Sequence, residues 1–194
     1  SDSQERISSA TVELNATYEK EPAVILTMDN WVVRPTGYWA PAGEQITLHF
    51  DNAAVNQGLS IVVGAHYRNV TPDLGSQNRM TDISTEFQVI ETEMKVANPY
   101  GGGLYLKVPA GTDVGWISVD IQDAVKSAYY SHREGRETAV SDWIEQLNST
   151  TVPWVDVESD QFMFTLPLNL AKDVTNPDEI MQRWAGYAAR YGYA

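Results

Sequence analysis

Asn98-Pro99-Tyr100-Gly101-Gly102-Gly103-Leu104-Tyr105-Leu106-Lys107-Val108-Pro109 is the stretch that decides the architecture of this 194-residue chain. Glycine loses more backbone freedom on folding than any other residue, so three in a row persist where side chains would block something, either another backbone or a ligand. Leu104, Leu106 and Val108 alternate with Tyr105 and Lys107, the period of a strand with one buried face. The glycines are therefore expected at the rim of a sheet, as an ordinary turn or as one wall of a cleft. A phosphate cradle needs a Lys-Ser/Thr pair opening a helix, and here the glycines lead into a strand.

The same alternation recurs on both sides of the stretch. Ile46, Leu48 and Phe50 alternate with Thr47 and His49, which turns His49 away from the apolar face. Leu59, Ile61 and Val63 repeat the pattern and end at Gly64-Ala65-His66-Tyr67. Phe87 to Ile90 and Glu93 to Val96 run into the glycine turn, and Ile117, Val119 and Ile121 follow a second turn at Ala110-Gly111-Thr112-Asp113. Short strands separated by turns indicate an antiparallel sandwich. Between Arg34 and Glu44, two prolines and two glycines mark turns around Trp39. Residues 1 to 22 offer two patterns: Thr11-Val12-Glu13-Leu14 alternates like a strand, while the spacing of Ile7, Ala10, Thr11, Leu14 and Tyr18 predicts a weak helix ending before Pro22. Arg68 to Ser84 is a long polar loop, of the kind that carries functional surface.

Beyond Gln122 the period changes. Val140, Trp143, Ile144 and Leu147 form the stripe of a surface helix capped near Thr138. Pro153-Trp154 breaks it, and Phe162, Phe164 and Leu166 predict another strand. Asn176, Pro177 and Glu179 are a helix start, with Ile180, Trp184, Tyr187 and Tyr191 as its buried stripe and Gly192 as its stop. The expected fold is mainly β: an antiparallel β-sandwich followed by a smaller α+β segment with two helices. The boundaries are a lead-in over 1–30, a sandwich over 31–128 and the α+β segment over 129–194.

Composition narrows the partners. A formal charge of -13, with Lys and Arg scattered singly, repels a phosphate backbone, so nucleic acid is not expected as a partner. The absence of cysteine rules out disulfides and thiolate metal sites. No apolar run approaches the ~20 residues that cross a bilayer, and the opening Ser1-Asp2-Ser3-Gln4-Glu5 lacks the features of a signal peptide.

Catalytic chemistry is sparse. The histidines at 49, 66 and 132 are isolated, and His132-Arg133-Glu134 is not the His-Glu-x-x-His in which two imidazoles project one turn apart. Asp120 and Asp123 bracket a strand end, as solvated carboxylates or as oxygen ligands for Ca²⁺. A Gly-x-Ser-x-Gly elbow is absent. Six tryptophans offer faces that stack on sugar rings; Trp143 and Trp184 fall on core stripes, which leaves Trp39 as the best exposed candidate. Asn15, Asn69 and Asn148 open glycosylation sequons, relevant in a source that glycosylates them.

Several segments taken in order resemble the enhancin-like metallopeptidases, a zinc-dependent family associated with cleavage of mucins and other glycoproteins. They are Thr36 to Glu44 with its strand, Gly58-Leu59 through His66, Asn98-Pro99-Tyr100-Gly101-Gly102 with its strand, Pro153 to Asp160, Phe164-Thr165-Leu166-Pro167, and Asp178 to Trp184. The departures are Tyr38-Trp39, where the family more often has an aliphatic residue followed by Tyr, and the third glycine at 103. The resemblance implies a sandwich leading into a gluzincin catalytic lobe whose His-Glu-x-x-His lies downstream of the segment matching Asp178 to Trp184. The chain ends at Ala194, so the expectation is the amino-terminal, non-catalytic portion of a secreted or cell-surface peptidase. It would carry no cofactor of its own, with zinc in the full-length parent. Its partners would be a glycoprotein or mucin substrate and a downstream catalytic lobe of the same polypeptide. In that setting Trp39, Asn98, Tyr100, Gly101, Gly102 and Gly103 are the expected substrate-binding residues. The alternative is a stand-alone glycan- or protein-binding sandwich of an adhesin-like protein.

Overall fold

A computed structural model of the chain describes residues 4–19, 30–65, 82–160 and 162–190. Two compact units, Ser1–Val125 and Lys126–Ala194, each enclose a core of their own.

The strands that build the first unit are β1 (Ala10–Tyr18), β2 (Trp31–Ala40), β3 (Ile46–Phe50), β4 (Ser60–Val63), β5 (Thr85–Gln88), β6 (Glu93–Val96), β7 (Gly102–Pro109), β8 (Thr112–Gln122) and β9 (Val125–Lys126). They form a four-stranded sheet, β1-β8-β3-β6, and a five-stranded sheet, β5-β4-β7-β2-β9. The pairings β1–β8, β3–β8, β3–β6, β2–β7, β4–β7 and β4–β5 are all antiparallel. Leu14, Ile46, Leu48, Ile117, Val119 and Ile121 of one sheet share a core with Ile61, Val63, Leu104, Leu106 and Val108 of the other. Each such side chain contributes about 1.5 to 3 kcal/mol of transfer free energy, which fixes both sheets in register. This is the expected antiparallel sandwich, and His49 faces outward on β3 as its spacing predicts.

Two local expectations are corrected. Residues 10–18 form a strand rather than a helix, because pairing with β8 from Ala10–Ile121 to Tyr18–Thr112 lets the alternating Val12, Leu14 and Ala16 reach the core. Tertiary pairing overrides the weaker helical spacing. The proline- and glycine-rich segment around Trp39 is also strand. Register with β7 shifts between Pro35 and Trp39, Gly37 adopts φ 83°, and the Thr36 hydroxyl replaces a ladder donor by bonding to the Leu104 carbonyl at 2.9 Å. Pro35 and Gly37 thus mark a bulge inside β2, whereas Pro41 and Gly43 form the expected turn at its end, where the Glu44 N–H donates to the Pro41 carbonyl at 3.2 Å. The Val24-Ile25-Leu26 run, His66, and nearly all of the loop over 68–84 lie outside the described residues.

The second unit contains β10 (Tyr129–Ser131), α1 (Val140–Ser149), β11 (Trp154–Glu158), β12 (Met163–Pro167), α2 (Leu168–Ala171) and α3 (Pro177–Arg190). Its sheet runs β10-β11-β12, with β10 parallel to β11 and β11 antiparallel to β12. Three helices stand where two were expected; α2 is a single turn, too short to show a period. Trp154 opens a strand rather than merely ending a helix, since Val155 and Val157 supply the sheet's buried face. On α1, Trp143 and Leu147 are buried, and the indole meets Tyr130 edge-on at 5.9 Å and donates to the Val174 carbonyl at 2.9 Å. Thr138 does not cap α1; it exchanges hydrogen bonds with Ser131 instead. On α3 Pro177 and Met181 are buried, while Trp184 and Tyr187 are 45% and 44% exposed, so the expected buried stripe is half open. Tyr191 and Gly192 lie outside the described residues.

Candidate functional site

The turn over residues 98–103 is held by Asn98, whose exposure is 0%. Its side-chain amide donates to the Val63 carbonyl at 2.9 Å and the Ile83 carbonyl at 2.7 Å, and its Oδ1 accepts from the Tyr100 N–H at 2.8 Å. Its carbonyl accepts from the Gly43 and Gly101 N–H groups at 2.9 and 3.0 Å. A buried amide engaged in this way has no donor left to offer a substrate. Asn98 positions the turn; it does not face a ligand.

The glycines answer the question their run posed. A Cβ at Gly102 would lie 2.5 Å from the Gly64 Cα and 2.6 Å from its nitrogen, with φ at 152°. At Gly101, with φ 68°, it would meet the Ala40 carbonyl oxygen at 2.6 Å. At Gly103 the obstruction is the Tyr105 ring, 2.5 Å away at its hydroxyl. What the missing side chains admit is this chain's own backbone and the Tyr105 ring, where β7 passes β2 and the end of β4. Gly101, Gly102 and Gly103 are buried and form no open wall. Tyr100, 55% exposed, projects from the turn beside Pro99, which is exposed as well. Trp39 is half-buried on β2, paired in register with Gly103.

The second unit encloses an ionic cluster that sequence reasoning did not find. Glu158, 1% exposed, accepts from the Tyr129 hydroxyl and from Ser131 Oγ at 3.1 Å. It lies 3.5 Å from Arg133 Nε and 3.4 Å from Arg136 Nη1. Arg133 also donates to the Ser159 carbonyl at 2.8 Å, tying β10 to the turn after β11, and Arg136 covers the Tyr129 ring at 4.4 Å. Burial, then the adjacent Glu158 charge, pushes the Tyr129 hydroxyl far above its ordinary range. It therefore remains a protonated donor, and the cluster is a fixed internal brace rather than an acid–base pair. The only sequence signal was alternation of Arg133 and Arg136 with Glu134 and Glu137, which points at the wrong carboxylates.

Metal chemistry finds no cradle among the described residues. No three His, Asp or Glu side chains converge to hold an ion. His49 stands 3.7 Å from Glu93, and His132 4.0 Å from Asp178. Asp178 in turn accepts from the Tyr130 hydroxyl, whose pKa is raised by burial and then by that bond. Asp120 accepts from the Thr11 hydroxyl. These residues do not fit a zinc site, so no catalytic step can be assigned to them.

One aromatic escaped the sequence reading. Trp116 is 44% exposed on the outer face of the four-stranded sheet, directly across from Asn15. The period of β8 placed it on that face, but nothing in the local sequence distinguished it from Trp39.

The geometry defines the class first: an antiparallel sandwich followed by a small α+β unit, with no catalytic constellation among the described residues. Residues 5–122 match the N-terminal domain of M60-like peptidases, and the chain belongs to that family. The chain is 27% identical over 156 residues to human TRPM8 channel-associated factor 2, covering 80% of this chain and 16% of that protein. The Xenopus laevis TRPM8 channel-associated factor homolog is 26% identical over 174 residues, 86% of this chain and 18% of its own length. Among solved structures, the IMPa metallopeptidase of Pseudomonas aeruginosa bound to an O-glycopeptide superposes with a TM-score of 0.65 at 16% identity, over 94% of this chain and 20% of that one. The ZmpB metallopeptidase of Clostridium perfringens gives 0.62 at 18% identity, over 84% and 35%. At such identities the structural likeness establishes the fold. The chain spans less than a fifth of the curated relatives quoted.

Proposed function

We propose that the parent polypeptide is a secreted or cell-surface zinc metallopeptidase acting on mucin-type glycoproteins, and that this chain is its amino-terminal, non-catalytic portion, contributing substrate positioning. The match of residues 5–122 to the N-terminal domain of M60-like peptidases carries this reading. The likeness in fold to IMPa, solved with an O-glycopeptide, supports the choice of substrate class. The narrower enhancin-like assignment, and a His-Glu-x-x-His supplied by sequence outside this chain, are parts of the same proposal. Within the glycine turn only Pro99 and Tyr100 expose side chains to a substrate, so positioning must draw on other surfaces of the sandwich as well.

Elemental analysis and a mucin-cleavage assay on residues 1–194 and on the parent test the proposal. The parent should hold one zinc and cleave; the isolated chain should do neither. A stoichiometric zinc with hydrolysis by the isolated chain, or a parent without either, would overturn it.

A second reading, a stand-alone glycan- or protein-binding module, is favoured by the relatives named as channel-associated factors. A parent that binds a glycoprotein or protein partner without cleaving it would select that reading.

A further inference from the structure

The outer face of the four-stranded sheet is polar along all its strands. Thr11, Glu13 and Asn15 point outward on β1, Ser118 and Asp120 on β8, and His49 on β3. Trp116 is the one large apolar side chain among the described residues of that face.

Trp116 stands beside an irregularity in the ladder. Between the pairs Asn15–Trp116 and Thr17–Asp113 the ladder gains a residue on β8, and Gly115 there takes φ 80°. The Gly115 N–H is satisfied by the Thr17 hydroxyl at 2.8 Å, and Thr17 donates in turn to Asp113 at 3.2 Å. The indole next to this bulge is flanked by groups already held in place. Glu13 accepts from the Ser118 hydroxyl, and Asp51 accepts from the Ser118 N–H at 3.3 Å. A carboxylate has about four acceptor positions, so Glu13 and Asp51 each keep acceptors for further donors.

We propose that this face binds a neutral saccharide, with Trp116 as the stacking platform and Glu13, Asp51 and Asn15 as hydrogen-bonding flanks. A pyranose has one face of C–H groups carrying partial positive charge, which suits the negative face of an indole, and a rim of hydroxyl donors, which suits fixed carboxylates. The same carboxylates, with Asp113 and Asp120 beside them, repel sialylated or sulfated sugars. Flanks that are hydrogen-bonded before the ligand arrives lose little side-chain freedom on binding. The site deepens the glycoprotein reading, and it can be tested apart from it, because binding is measured without proteolysis.

Calorimetric titration of the intact chain with N-acetylgalactosamine, lactose and 3′-sialyllactose tests the proposal. Saturable binding of the two neutral sugars is expected, with sialyllactose weaker. Trp116→Ala should weaken neutral-sugar binding by about tenfold or more, Trp116→Phe less, and Trp39→Ala not at all. Circular dichroism checks that the variants keep the sandwich. Absence of binding to either neutral sugar, or binding unchanged in Trp116→Ala, would overturn the proposal. A parent that fails to cleave mucin would leave it standing.

Discussion

Two places in the sandwich depend on glycine, and they use it to opposite ends. At 101–103 the glycines let backbone pass within a distance no Cβ allows, and the turn closes. At 113–116 a Cβ on Gly115 would meet nothing within 4 Å; its glycine serves only the positive φ of a bulge, next to the exposed Trp116 indole. A glycine run therefore signals a close approach without saying what approaches. The less conspicuous single glycine is the one that lies beside an open surface.

Substitutions test that contrast. Gly102→Ala is expected to cost about 4 kcal/mol or to prevent folding, because the methyl meets the Gly64 backbone and not a yielding side chain. Asn98→Ala should cost about 3 kcal/mol, since it leaves the Val63 and Ile83 carbonyls unpaired. Glu158→Ala in the second unit should cost about 3 kcal/mol by leaving Arg133 and Arg136 without their shared carboxylate. Gly115→Ala, with open space around it, should cost only the backbone term, about 1 to 2 kcal/mol. Urea denaturation of each variant reads these values, and equal losses at 102 and 115 would erase the distinction drawn between the two sites.

The second unit also predicts a dependence on alkaline pH. Tyr129 and Tyr130 have hydroxyl pKa values raised above the ordinary 10.0 by burial and by their carboxylate partners. A raised folded-state pKa stabilises fully below pH 10 and loses that stabilisation as pH climbs above it, where the unfolded chain releases protons that the folded chain retains. Stability measured from pH 9 upward should fall, and the fall should be shallower in Tyr129→Phe. The smallest stability effect is expected for Trp116→Ala, within about 0.5 kcal/mol, since the indole lies outside the core.

Strand alternation made the sandwich legible. Ile46 to Phe50, Leu104 to Val108 and Ile117 to Ile121 each declare a buried face, and the structure places them as read. Residues 10–18 were not legible, because a nine-residue segment satisfied both periods until pairing with β8 chose one. The segment around Trp39 misled for a different reason: Pro35 and Gly37 are turn formers whose effect inside a paired strand is a bulge. The glycine stretch was readable as a close approach, but its neighbour, Gly64, stands 38 positions upstream and no local pattern names it. The period of β8 turned Trp116 outward, but its neighbours Glu13 and Asp51 come from segments far apart in sequence, and no local pattern names them.

The most direct test of which surface meets a glycan is a site-resolved one. Titrating the isotopically labelled chain with N-acetylgalactosamine, with the indole N–H of Trp116 and the amides of Tyr100 to Gly103 assigned, reads both places in one experiment. The account predicts a saturable shift at Trp116 and its strand neighbours, with the glycine amides unmoved. Shifts confined to Tyr100 to Gly103, with Trp116 silent, would contradict it.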